Sequence, residues 1–332
     1  LSFKALVHSM DSRLTRAGKP FVDLVLQDKT GKISAKLWDT ATGPAAGQVI
    51  YARGKVSEYQ GQAQVVLGWH TVEEDADVSE YVTGSHRPPQ ELLDEVERLL
   101  YYNCEGPVWD VLSYIISNHK DALLTSPAAK GNHHARHGGL IEHIHSMMHL
   151  AIFHCEHYHD RYGEVVLDVG LVLAGVFLHD IGKVVELSGH IGTEYTTTGK
   201  LVGHIPHGLL MLERAIQAHV DDTKNVGENH LTEEMADQLR HLILSHHGKM
   251  EWGSPIVPQT PEAVLLHQLD MMDSRMDPVC IAVQQAPPTG GWVQGSRAVG
   301  SLYVTSDGAP AESANASAEP SSAPALPFDC NP

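Results

Sequence analysis

The stretch Leu173-Ala-Gly-Val-Phe-Leu-His-Asp-Ile-Gly-Lys-Val-Val-Glu186 decides how this chain is read. An apolar run from Leu171 to Leu178 ends directly in His179-Asp180, with Gly182 and Lys183 close behind. A helix that is apolar all round is a buried one. Two side chains able to ligate a metal therefore stand at the end of a central helix. More such side chains, His143, His204, His246, His247 and Asp270, lie elsewhere in the chain. Histidine is the compositional outlier: 19 of the 23 fall between His133 and His267. Imidazole is a common ligand for first-row metals and stays neutral enough to bind them near pH 7.

Outward from this stretch the apolar spacing is that of helices. Leu92, Leu93, Val96, Leu99 and Leu100 line a first helix, and Val108 to Leu124 gives a second. A third runs from Gly139 to about His159 and carries His143, and a fourth runs from about Glu164 to Leu178. Residues 186–200 read as a Gly/Thr-rich loop. Further helices are expected over Leu201 to Ala218, Leu231 to His246 and Pro261 to Met276. Adjacent residues on a helix point about 100° apart, so His246 and His247 reach one site only at a helix end. Gly248 supplies that end. His145, His149, His154, His157 and His159 are read as solvent-facing or structural.

The front of the chain is different. Phe21 to Asp28 alternates partly, Ile33 to Trp38 follows a Lys-Thr-Gly-Lys turn, and Val49 to Val56 and Gln62 to Trp69 come next. With Leu6-Val7, these predict five short strands in about 70 residues, which suits an OB-fold barrel. Residues 1–70 hold nine Lys and Arg against five Asp and Glu, while the whole chain carries −18. A weakly basic front on an acidic body fits a polyanion-binding module. Single strands are held by basic groups and by aromatics that stack on bases. The candidates are Arg13, Arg16, Lys19, Phe21, Lys36, Trp38 and Tyr59, with Arg13 to Lys19 in a strand-to-strand loop.

Hydrolysis of a phosphodiester needs a nucleophilic water near pH 7 and positive charge against the phosphoryl oxygens, and two metal ions about 3.5–4 Å apart supply both. Asp180 can bridge two ions because a carboxylate has two oxygens. His143, His179 and Asp270 would complete one ligand set, and His204, His246 and His247 a second. Asp270 is preferred to Asp273 and Asp277 because Leu265, Leu266 and Leu269 put an apolar face beside it. Lys183, one turn past His179, would neutralise a substrate phosphate or steady the leaving group.

Cys104, Cys155, Cys280 and Cys330 have no motif spacing, which argues against a zinc knuckle or a disulfide framework. No stretch approaches the length of a membrane span, and no signal segment opens the chain, which begins at Leu1 rather than Met. A cytoplasmic protein is expected.

His143, His179-Asp180 and Asp270 resemble the signature of the HD-domain superfamily of metal-dependent phosphohydrolases, over roughly residues 130–280. His133-His134, Gly138-Gly139-Leu140-Ile141-Glu142-His143, Gly203-His204-Ile205 and the run from Leu244 to Pro255 resemble, more closely, the YhaM-type 3′-to-5′ exoribonucleases. That resemblance implies a multidomain fold, a small five-stranded OB-type β-barrel followed by an all-α HD domain; outside it, the Ala/Ser/Pro-rich residues 307–332 are expected to form a disordered C-terminal tail. The expected division is 1–83 OB-fold, 84–130 helical linker region, 131–285 HD domain, 286–306 extended arm and 307–332 tail. The resemblance further implies an exonuclease of single-stranded RNA, extended to single-stranded DNA. It implies one or two divalent ions, manganese favoured, and a homo-oligomer without a membrane partner. His133 and His134 would flank the substrate. Two rival readings are an HD-type nucleotidase or cyclic-nucleotide phosphodiesterase, and a non-catalytic nucleic-acid-binding protein. A small nucleotide needs no strand-holding barrel, which disfavours the first; an intact ligand set with Lys183 disfavours the second.

Overall fold

The computed structural model describes residues 1–306, apart from positions 30, 60, 83, 105, 131–133, 135, 164–165, 189–192, 224–229 and 296–298. The expected tail and His133 thus lie outside the described residues. By internal contact, Leu1–Ser274 forms one compact unit and the chain from Arg275 another.

Five strands close the barrel in the order β1-β2-β3-β5-β4. They are β1 (Ser2–Leu14), β2 (Pro20–Asp28), β3 (Gly31–Trp38), β4 (Val49–Tyr59) and β5 (Gln62–Val72). The first strand is far longer than the Leu6-Val7 pair expected from sequence. It pairs with β4 through Ser2 to Leu6 and with β2 through Leu6 to Leu14, which closes the barrel. Its outer half is too polar to show an apolar run, yet its backbone is paired throughout. Arg13 consequently lies in a strand rather than a loop. In β2 the buried residues are Val22, Leu24 and Leu26, a strict period of two. They meet Ala35, Ile50, Ala52, Val65 and Leu67 in the barrel core. Val82, from the segment after β5, packs with Leu6 and Val49.

The helices follow: α1 (Pro89–Asn103), α2 (Gly106–Thr125), α3 (Gly139–Tyr162), α4 (Val169–Leu178), α5 (Lys183–Glu186), α6 (Thr197–Val202), α7 (His204–Thr223), α8 (Glu233–Ser245) and α9 (Pro261–Gln284). Pro89 occupies the first turn of α1, where a missing N–H costs nothing. Leu92, Leu93, Val96 and Leu100 bury the face read from the sequence. From Gly170 to Leu178, α4 is buried at every residue. Truncating its fully buried Phe177 to Ala would cost about 3–5 kcal/mol.

Three expectations need correction. α4 begins at Val169, not near Glu164, because the Asp168 side chain accepts from Leu171 N and caps it. The supposed loop at 186–200 contains α6, capped in the same way by Thr196, and a short ladder between β6 (Leu187–Ser188) and β7 (Glu194–Tyr195). The last helix runs past Pro278 to Gln284, with Ala282 buried beyond the proline. A proline removes one backbone bond, and here the helix continues through it. In the second unit, β8 (Gly291–Gln294) pairs with β9 (Ser301–Val304), so the stretch expected to be an extended arm holds a hairpin.

Candidate metal centre and nucleic-acid surface

Asp180 is the hub of the helical site. It follows α4 directly, is 2% exposed, and its two carboxylate oxygens face different sets of imidazoles. Oδ2 lies 3.3 Å from His179 Nε2 and 3.9 Å from His143 Nε2, and accepts from Lys183 Nζ. Oδ1 lies 3.5 Å from His204 Nε2 and 3.8 Å from His246 Nε2. Asp270 Oδ1 reaches within 3.4 Å of His143 Nε2, on the nitrogen that faces Asp180.

Each imidazole is aimed by a bond at its other nitrogen. Nδ1 of His179 donates to Val176 O at 2.8 Å, and Nδ1 of His246 to Ile243 O at 2.7 Å. His204 sits at the start of α7, where Glu186 accepts from its backbone N at 3.1 Å and from its Nδ1 at 3.2 Å. His247 Nδ1 donates to Trp252 O at 3.0 Å. α8 does end at Ser245, and Gly248, at φ 78°, turns the chain so that both His246 and His247 face His204. A bond at one ring nitrogen fixes the tautomer and leaves the other free to ligate.

The electrostatics suit cations. Burial alone would raise the Asp180 carboxyl, but Lys183, His179 and His204 outweigh it and hold it well below the usual carboxylate range. Burial pushes His246 and His247 below the ordinary imidazole value, which keeps them neutral. Burial would lower His143 too, yet its bonds to Asp270 and Asp273 raise it to about 10. Any cation at His143 Nε2 must therefore displace a proton.

The residues fit a divalent metal. The buried Nε2 atoms of His204 and His246 have no hydrogen-bond partner. An unsatisfied buried polar atom costs about 1–3 kcal/mol, a cost that a ligated ion removes. Ligand atoms of His143, His179 and Asp180 converge within 4.8 Å of one another, as do those of His204, His246 and His247. The first group with Asp270, and the second with Asp180, could each hold one ion.

Comparison with known proteins agrees. An HD domain model matches residues 140–275, and a model described as an OB-fold nucleic acid binding domain matches residues 1–68. The 3′-5′ exoribonuclease YhaM of Halalkalibacterium halodurans is 35% identical over 291 residues, which cover 85% of this chain and 86% of that one. The enzyme of the same name from Bacillus subtilis is 33% identical over 290 residues, covering 85% and 87%. That from Oceanobacillus iheyensis is 34% identical over 281 residues, covering 82% and 84%. The chain belongs to the YhaM family.

In this YhaM-family chain the barrel presents two half-exposed indoles. Trp38 is 45% exposed and packs against Phe21 with ring centroids 4.9 Å apart and the planes tilted by 32°. Trp69 is 50% exposed, with the Arg53 guanidinium 5.8 Å from its ring. Both line a groove of about 600 Å³ together with Thr40, Pro44 and His70. Tyr59 stands exposed at the end of β4. Several of the basic candidates already have partners. Arg13 pairs with Asp11 and Asp23 at 3.2 Å each, Lys36 with Asp23 at 2.5 Å, and Lys19 with Asp39 at 4.0 Å. Arg16 is exposed.

Sequence reasoning missed four residues. Trp69 and Arg53 were absorbed as strand residues, although they pair across β4 and β5. Glu186 stands at the edge of the loop expected from sequence, yet its carboxylate holds His204. The sequence offers Asp273 only as a rival to Asp270, whereas it holds the opposite nitrogen of His143. His134 is turned inward: its Nε2 lies 2.9 Å from Asp273 and its Nδ1 3.3 Å from Glu142. Among the described residues, no helix is long and apolar enough to cross a membrane.

Proposed function

We propose that this chain is a metal-dependent 3′-to-5′ exoribonuclease that hydrolyses single-stranded RNA and also accepts single-stranded DNA. The observation that carries the reading is the Asp180 carboxylate, with partnerless imidazole nitrogens facing its Oδ1, in one chain with a barrel that exposes Trp38 and Trp69. Bound divalent ions supply a nucleophilic water near neutral pH and positive charge against the phosphoryl oxygens. His143, His179, Asp180 and Asp270 would hold one ion. His204, His246 and His247, sharing Asp180, would hold a second. Manganese suits this set, since imidazole and carboxylate donors accept it and its supply decides occupancy.

Lys183, now bonded to Asp180, adds positive charge where the scissile phosphate must lie. His134 supports His143 through Asp273, and its neighbour His133 flanks the 3′ end. In the barrel, Trp38, Trp69 and Tyr59 stack on bases, Phe21 backs Trp38, and Arg13, Arg16, Lys19 and Lys36 follow the phosphates. The acidic body leaves strand binding to this front. Residues 1–83 thus form the strand-holding domain, 84–130 the helical connection, 131–285 the catalytic domain and 286–306 an arm. The working form is a cytoplasmic homo-oligomer.

A circular RNA tests the end requirement. With Mn²⁺, the linear strand is consumed while the closed circle of the same sequence survives. Cleavage of the circle would make the enzyme an endonuclease and overturn the proposal.

A further inference from the structure

α3 carries a second pair of imidazoles on a face the Asp180 site does not use. His145 follows His143 by two residues, which turns it about 200° around the helix. His149 lies four residues further, on the same face as His145. Glu95, from the middle of α1, meets them. Its Oε2 lies 2.6 Å from His145 Nε2, and His149 Nε2 lies 3.2 Å from that same nitrogen.

Hydrogen bonding accounts poorly for this trio. If His145 Nε2–H donates to Glu95, that nitrogen has no lone pair left to accept from His149, and His149 Nε2 can at most share that one proton. If it accepts from His149 instead, it offers the carboxylate no proton at 2.6 Å. Donor atoms around a tetrahedral zinc, each at about 2.0–2.1 Å, stand about 3.3 Å apart. The two Nε2 atoms, at 3.2 Å, already have that spacing, while Glu95 Oε2, at 2.6 Å from His145 Nε2, must draw back to reach it. All three donor atoms lie within 4.8 Å of one another.

The surroundings leave room for an ion without demanding one. The Glu95 side chain is 28% exposed and that of His145 14%, so water can complete the coordination. The opposing charge is Arg87, which donates to Glu95 Oε1 at 2.7 Å and to Oε2 at 3.1 Å. Glu91, 3.6 Å from the same guanidinium, gives Arg87 an alternative partner. Burial and the neighbouring His145 push His149 below the ordinary imidazole value, so it is neutral and able to ligate.

We propose that Glu95, His145 and His149 form an accessory site for a zinc-class divalent ion, which fastens α1 to α3 independently of the catalytic centre. The ligands come from two helices, so occupancy stabilises their packing. Arg87 weakens the site relative to the Asp180 centre, making it the first to empty on chelation.

The test uses the full chain, stripped with a chelator, equilibrated with Zn²⁺ and freed of excess by gel filtration. Zinc per chain is counted by mass spectrometry of the elements for the wild type, His149→Gln and Glu95→Gln. Each variant is expected to hold about one ion fewer than the wild type, with its Mn²⁺-dependent hydrolysis of RNA unchanged. Loss of Co²⁺ visible absorption of tetrahedral type in both variants would support the same assignment. Equal zinc counts in wild type and variants would overturn it and leave a hydrogen-bonded relay. Loss of activity in step with the ion would also overturn it, because the trio would then belong to the catalytic centre. If one variant fails to fold, the other decides.

Discussion

His143 donates its Nδ1–H to Asp273, whose Oδ2 lies 2.7 Å away. The bond turns Nε2 of the same ring toward His179, Asp180 and Asp270. Asp273 also accepts from Ser146 Oγ and lies 2.9 Å from His134 Nε2, so it is itself held in place. Loss of such a partner commonly lowers metal affinity about 10–100-fold. In Asp273→Asn, the Mn²⁺ concentration giving half-maximal hydrolysis should rise by about that factor, with helical circular dichroism retained. An unchanged metal dependence would reduce Asp273 to a packing role.

Gly182 lets two backbones touch. A Cβ at this position would stand 2.0 Å from His204 O and 2.7 Å from Gly208 N, both main-chain atoms. Gly182→Ala must therefore push α7 away from α5. Overpacking of this kind costs about 1–3 kcal/mol, and it carries His204 away from Asp180 Oδ1. Urea unfolding should show the loss of stability, and hydrolysis should fall even at saturating Mn²⁺. A variant as stable and active as the wild type would mean that α7 has slack.

The indoles of the barrel are predicted to hold bases. Stacking on an aromatic side chain is worth about 1–3 kcal/mol per base. Trp69→Ala and Trp38→Ala should each weaken binding of a labelled single-stranded RNA by a corresponding factor in fluorescence anisotropy. Hydrolysis of a short diester, which does not reach the barrel, should be spared. Equal losses on both substrates would end the strand-holding role.

Glu95 supplies a pH-dependent element in metal-free protein. Its bond with Arg87 lowers its carboxyl to about 2, aided by His145. A carboxyl lowered by folding contributes stability that is complete above its unfolded value and is lost as pH falls through the folded one. The window is therefore from about 4.5 down to about 2. The pair is partly open to solvent, so the contribution is about 1 kcal/mol or less. Urea midpoints of wild type and Glu95→Gln should differ at pH 6 and converge as pH approaches the lower limit. A constant gap would assign the effect of the substitution to packing.

The parts legible in the sequence are those with local signals. The apolar run into His179-Asp180, the 3.6 period of α1 and α3, and the alternation of Val22, Leu24 and Leu26 each follow from residues close in the chain. So does the chain reversal at Gly248 that brings His246 and His247 together. The residues that escaped are set by distant contacts. Asp273 and His143 are 130 positions apart, and nothing near either one announces the bond. Asp270 and Asp273 are one helical turn apart on α9, and only the placement of α3 decides which meets Nε2 and which meets Nδ1. The outer half of β1 escaped for another reason: its strand pairing is made by the backbone, while its side chains are polar. Trp69 read as the end of a strand until the barrel brought Arg53 beside it.

The central claim is tested most directly by a gel time course. The chain, stripped of metal and resupplied with Mn²⁺, is given a 5′-labelled single-stranded RNA, with Asp180→Asn in parallel. The account predicts a ladder that shortens steadily from the 3′ end with the wild type, and intact RNA with a variant that remains folded and helical. RNA that stays whole with the wild type, or is shortened equally by Asp180→Asn, would contradict it.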